Sequence, residues 1–265
     1  MTDTSPRAVV APVSNDRRPP AFGGFNLTAL SLELRRVLRN RRTMMFLLVF
    51  PTMFFFLFGV AGAGKRGGSA LLASVMVSMA AYGAMVGTTS GGAAVSVERS
   101  LGWSRQLRLT PLNPLAYVAM KVMSAMTLGL ISICVTFLVA SMASSVHLTP
   151  QQWVLSGLAC WVGSLVFAAF GLFMGFLLPS ENVMQFVGPM LAIMALFGGI
   201  FIPLETLPEA LRTIARFTPM FGVGQIARAP LSGHLTTWAV VSVLLWAIAF
   251  WTGAMLLFKR DTTRV

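Results

Sequence analysis

Uncharged apolar runs alternate along this chain with short polar, arginine-rich segments. Six runs hold about 20 or more residues without Asp, Glu, Lys or Arg, the length at which an α-helix rising 1.5 Å per residue crosses ~30 Å of hydrocarbon. They are Thr43–Gly62, Ser69–Val95, Val122–Ser145, Trp153–Leu178, Val183–Ile202 and Thr236–Phe258, and they predict an all-α membrane protein of six transmembrane helices. Ahead of the first run, Leu27, Leu30, Leu34, Val37 and Leu38 recur at helical spacing, with Glu33, Arg35, Arg36 and Arg39 largely off that face. This predicts an N-terminal amphipathic helix over 26–42, lying in the headgroup layer. Between the fifth and sixth runs, Pro208 opens a short helix carrying Glu209, Arg212 and Arg216, which Pro219 ends. The apolar MFGVGQIARAPL that follows is too short to cross. External re-entrant or interfacial short helices are expected there.

Composition agrees with this pattern. Hydrophobic residues make up 56% of the chain and charged residues 11%, with a mean hydropathy of +0.77, far more apolar than a water-soluble domain can bury. The net charge of +12 would suit nucleic acid if it lay on one soluble face, but the basic residues sit beside the spans, which argues against that partner. With a cytoplasmic N-terminus, fifteen of the 20 Lys and Arg residues fall inside. Only Lys65, Arg66, Arg212, Arg216 and Arg228 fall outside. The positive-inside rule then places both termini in the cytoplasm, as an even number of spans requires. Residues 1–25, rich in Pro, Ser and Arg and lacking an apolar signal core, read as a disordered cytoplasmic tail. Residues 43–258 read as one six-span transmembrane domain and 259–265 as a cytoplasmic C-terminal tail. Cys134 and Cys160 lie singly inside the third and fourth runs, with neither a C-x-x-C pair nor a metal spacing, and read as packing residues.

Candidate chemistry is sparse. The stretch GVAGAGKR, Gly59 to Arg66, approaches the phosphate-cradling G-x-x-x-x-G-K-[ST], but Arg66 stands where a hydroxyl must ligate Mg²⁺. The run before it is long enough to be a membrane helix rather than a buried strand. The aspartates, Asp3, Asp16 and Asp261, all lie in the tails, so the magnesium-binding partner of such a loop is missing. The motif reads as a turn at the outer mouth of the first span. No H-E-x-x-H or G-x-S-x-G occurs, and His147 and His234 fall at outer ends of spans. No catalytic or metal-binding residues are assigned. The carboxylates nearest the spans, Glu98 and Glu181, sit at cytoplasmic ends, so a proton-coupled pump lacks its usual buried titratable group. The cytoplasmic loop VERSLGWSRQLRLTPLNP, 97–114, alternates leucine with charge before Pro111 and Pro114, and reads as a short docking helix.

Several of these residues resemble a known family. The pattern ER-x-x-G-x-x-x-x-L-R-x-TPL from Glu98 to Leu112, with Lys121 following, is similar to the membrane subunits of type-2 ATP-binding-cassette exporters, in particular bacterial drug-resistance permeases of the daunorubicin kind. So are G-x-F-x-P-x-x-x-LP from Gly199 to Pro208, then Pro219, then Arg228 with Gly233 before the last span, and the basic helix ahead of a first span containing Pro51. Trp103 departs from the small or hydroxylated residue expected at its position. The resemblance covers about residues 26–260. It implies a bacterial inner-membrane permease that homodimerises in the lipid bilayer and joins two copies of a separate ATPase, with ATP and Mg bound there and no cofactor on this chain. It further implies a coupling helix carrying Glu98, Arg99, Gly102, Trp103, Arg105, Arg108, Thr110 and Pro111. A second ATPase contact would come from the 26–42 helix with Glu33, Arg35, Arg36 and Arg39. An external gate would involve Pro203, Glu205, Pro208, Pro219 and Arg228. The apolar spans suit an amphiphilic drug, lipid or lipid-linked glycan as cargo. A secondary transporter or a membrane scaffold without an ATPase is the alternative reading. Small faces at Gly83, Gly87 and Gly91, and at Gly171 and Gly175, let helices approach closely, with packing inside the chain favoured over a dimer contact.

Overall fold

A computed structural model describes residues 26–63, 68–102, 114–143, 146–201, 204 and 208–263. These residues are predominantly helical, with no strand among them. The helices are α1 (Leu27–Leu38), α2 (Arg41–Phe54) with a π-helical continuation (Phe55–Ala63), α3 (Gly68–Ala93), α4 (Val95–Ser100), α5 (Pro114–Ala143), α6 (Pro150–Gly163), α7 (Leu165–Leu177), α8 (Ser180–Phe197), α9 (Glu209–Arg216), α10 (Pro219–Ser232) and α11 (Thr237–Thr263). Six helical stretches among the described residues are long and apolar enough to cross a membrane: Arg41–Gly62, Gly68–Ser100, Leu115–Met142, Pro150–Leu177, Ser180–Phe197 and Thr237–Arg260. The six apolar runs therefore coincide with six helices.

Local chemistry sets most boundaries. The Asn26 side chain accepts from the Thr28 amide at 2.8 Å and starts α1. The Asn40 side chain accepts from the Thr43 amide at 3.2 Å and starts α2. The helix expected over 26–42 thus ends at Leu38, and Arg41 and Arg42 belong to the first span. Thr149 and Gln152 form a reciprocal capping box at α6. Pro219 does not simply end a helix as the sequence suggested: α9 stops at Arg216, and Pro219 is the first residue of α10, capped by the Thr218 hydroxyl. Gly233 closes α10 in the left-handed region, φ 72°.

Helix α3 runs through the centre of the bundle and packs against α2, α5, α6, α7 and α10. The small face read from the sequence makes this possible. A β-carbon placed on Gly91 would lie 2.7 Å from the Ala125 Cα of α5, and one on Gly171 2.3 Å from the Thr89 carbonyl oxygen. Both glycine faces are thus used inside the chain. On the first span, Pro51 cannot donate to the Leu47 carbonyl one turn earlier. That carbonyl instead accepts from the Ser132 hydroxyl of α5 at 3.2 Å, and the helix beyond Pro51 widens into the π-helical turn. A polar backbone group released in an apolar span thereby finds a partner.

Candidate functional site

Ionisable groups concentrate where α1, α4 and the start of α5 meet, hereafter the basic end. Helix α4 continues the second span after a break at Ala94 and presents Glu98 and Arg99 to different neighbours. Glu98 is only 3% exposed and Lys121, on α5, only 4%. One Glu98 oxygen accepts from both the Lys121 ammonium and the Arg36 guanidinium of α1. The other accepts from the Tyr117 hydroxyl at 2.6 Å. Lys121 also donates to Glu33 of α1 at 2.5 Å, and Arg36 lies 3.4 Å from Glu33. Two carboxylates and two cations therefore cancel, with Glu98 and Lys121 buried as a pair and Arg36 reaching in from the exposed side of α1. Burial lowers the Arg36 pKa, but the attraction of Glu98 and Glu33 outweighs it and holds the group above its ordinary value.

Arg99 turns to the other side of α4. Its guanidinium donates to the Gly175 and Phe176 carbonyls at 3.1 and 2.8 Å, satisfying acceptors that the end of α7 leaves without helical donors. It also lies 5.9 Å from the centre of the Phe176 ring. Gly102 follows α4 at φ 74°, and its amide bonds to the Arg99 carbonyl at 3.0 Å. The helix is thus tied to α1 and α5 through Glu98 and to α7 through Arg99. Whatever tilts α4 must move three other elements.

Of the residues singled out in the sequence, the structure brings Glu33, Arg36, Glu98 and Arg99 together, with Gly102 beside them. Arg35 and Arg39 lie on the same helix, exposed, outside the cluster. Trp103, Arg105, Arg108, Thr110 and Pro111 lie outside the described residues, as do Pro203 and Glu205, the glycine-rich turn at 64–67 and the tail 1–25. Two members escaped assignment. Tyr117 gave no signal, and Lys121 entered only as the charge that follows the Glu98–Leu112 pattern, with no role assigned to it. The expectation that no buried titratable group exists is corrected: α5 begins at Pro114, Lys121 lies two turns inside it, and its packing closes over Glu98.

At the opposite end, Pro208 precedes α9, Pro219 opens α10, and Arg228 of α10 donates to the Ser78 hydroxyl at 2.8 Å and the Gly199 carbonyl at 3.4 Å. Arg228, Ser78, Gln152 and His147 face a cavity of about 550 Å³. No cluster of His, Cys, Asp or Glu with metal-holding geometry occurs among the described residues. Gly59 lies in the π-helical end of a membrane-length span, where a phosphate loop would require a strand before it.

The described residues thus form a helical bundle with six membrane-length helices, in which ion pairs fix the short helix α4. A family model for ABC-2 type transporters matches residues 27–231, so the chain belongs to the ABC-2 type transporter family. It is also 29% identical over 229 residues, covering 86% of this chain and 92% of the relative, to a Bacillus subtilis (strain 168) protein named "Putative transport permease YvfS".

Proposed function

We propose that the chain is the permease subunit of an ATP-driven exporter that moves an amphiphilic drug, lipid or lipid-linked glycan out of the cytoplasm, energised by ATP hydrolysed on separate nucleotide-binding chains. The observation that carries this reading is the double anchoring of α4, by Glu98 to α1 and α5 and by Arg99 to α7, directly before the basic segment 103–113. A lever in that position transmits a push from a bound ATPase into the spans. A solitary connector would need no buried ion pairs at its root. The net-neutral cluster, with Glu98 holding three donors at once, is suited to a rigid strut and poorly suited to carrying protons, which favours ATP drive over a secondary transporter.

In this reading the basic end faces the cytoplasm of a bacterium, with both termini there, and the exposed side of α1 meets the headgroups and the ATPase. Two permease chains pair with two ATPase chains, and α9 and α10 shape the outer gate. Purifying the tagged chain from its native membrane tests it: a P-loop ATPase is expected to co-purify, in equal numbers. Charge reversal by Glu98→Lys or Arg105→Glu is expected to abolish transport and ATPase association while membrane insertion persists. Unchanged transport in both variants would sink the coupling assignment.

A further inference from the structure

The bend between α1 and α2 carries positive charge beyond that engaged in the ion-pair cluster. Arg35, Arg36, Arg39, Arg41 and Arg42 fall within eight residues. Arg36 is engaged by Glu98, and Glu33, the acidic residue of α1, bonds Lys121 at 2.5 Å. Arg35, Arg39, Arg41 and Arg42 are exposed. Only Arg39 and Asn40 separate the two helices, and Arg35 lies one turn before Arg39, so the four cations gather on one bend. The first turn of α2 holds Arg41 and Arg42 and no acidic residue, which sets two cations against the positive end of a helix dipole. Sequence outside the described residues cannot cancel this charge from the same end: residues 1–25 hold three arginines against two aspartates, and 103–113 hold two arginines and no acid.

The bend also has a defined depth. Arg41 opens a helical stretch long enough to cross a membrane, so the first turn of α2 stands where hydrocarbon meets headgroups. One turn beneath Arg41 and Arg42 lie the exposed Met45 and Phe46, and one turn further Val49 and Phe50. The Phe46 and Phe50 rings stack at 5.1 Å. Cations at phosphate level therefore stand over an exposed apolar strip that runs into the bilayer.

We infer that the α1–α2 bend binds an anionic phospholipid of its own leaflet, with Arg39, Arg41 and Arg42 on the phosphate and an acyl chain along Met45 to Phe50. A guanidinium matches phosphate geometry through paired N–H donors, and clustered arginines beside a span are drawn to an anionic membrane surface. A soluble anion would gain nothing from the apolar strip. Lipid held at the bend also steadies α4, since α1 supplies Glu33 and Arg36 to the ion-pair cluster. The site rests on α1 lying among the headgroups, as proposed above, but needs no ATPase, so a purification that yields no ATPase would leave it standing.

The full chain reconstituted in phosphatidylcholine vesicles tests it through electron paramagnetic resonance of lipids spin-labelled on an acyl chain, whose motionally restricted fraction reports lipid held at the protein. Phosphatidylglycerol is expected to be restricted in excess over phosphatidylcholine. Arg39→Gln, Arg41→Gln and Arg42→Gln together are expected to lose most of that excess, each arginine weakening the association about fivefold. Lys259→Gln with Arg260→Gln, at the same end, should leave most of it intact. Equal restriction of the two lipids by the unaltered protein would overturn the proposal without recourse to any variant. Full retention of the excess in the triple variant would overturn it too, as would an equal loss in the Lys259–Arg260 pair, which would trace the selectivity to the basic skew of the whole end. Loss of the excess in inorganic phosphate, but not in chloride of the same ionic strength, would make the bend a site for free anions and remove the lipid assignment.

Discussion

Glu98 illustrates what a single buried charge demands. Its three donors come from α1 and α5, and removing the carboxylate would take from Lys121, 4% exposed, the more buried of the two carboxylates it bonds, leaving it Glu33. Breaking such a pair from one side costs about 3–5 kcal/mol, whereas replacing both partners by apolar groups is often nearly neutral. Glu98→Ala is therefore expected to lower the thermal midpoint in detergent sharply, and adding Lys121→Met should recover much of the loss. A double-mutant cycle measures the difference; additive losses would show that the two groups do not act as a pair. Ser132 is a smaller case. Ser132→Ala leaves the Leu47 carbonyl without its hydroxyl donor, at an expected cost of about 0.6 kcal/mol, up to roughly 2.

Among the elements, α3 depends on close approach. At Gly171 a β-carbon would meet the Thr89 carbonyl at 2.3 Å, and at Gly92 the Ala168 carbonyl at 2.7 Å, so α3 and α7 touch backbone to backbone. Gly171→Leu is expected to abolish monodisperse protein on size exclusion, because separating two helices loses contacts along their whole length. Gly188 on α8 has nothing within 4 Å of its own added β-carbon. Gly188→Ala should leave the elution profile unchanged, and the contrast between the two variants separates packing from mere helix propensity. Helix α4 is short and gains its fixed place from Glu98 and Arg99 rather than from length.

The whole molecule has two chemically distinct ends. One carries the neutral Glu33–Arg36–Glu98–Lys121 lock, just before the basic sequence 103–113; the other carries Arg212, Arg216 and Arg228 with the capping tryptophans. The skew of basic residues predicts that the first end is cytoplasmic. A reporter fused after Val265 that is active only in the cytoplasm is expected to be active, and one inserted at 64–67 inactive. The reverse result would invert the proposed direction of the α4 lever while leaving the fold untouched.

The six spans were legible in the sequence, because crossing hydrocarbon imposes a length and an absence of charge that each segment satisfies by itself. Helix starts at Asn26 and Thr149 are equally local, resting on side chains within three residues of the amides they cap. The partners were not legible. Arg36 and Glu98 are 62 residues apart, Lys121 and Glu98 23, Arg99 and the Gly175 carbonyl 76, and Ser132 and the Leu47 carbonyl 85. Hydropathy and spacing report how one segment meets its solvent; which side chains face each other is decided by how the helices pack. The sequence by itself determined a basic-flanked six-helix membrane chain with Glu98 and Arg99 at one end. Only the tertiary structure decided that Glu98 is buried against Lys121, that Arg99 seals α7, and that Arg212 and Arg216 share a cavity with Trp238, since each requires segments distant in the chain to be brought within hydrogen-bonding reach.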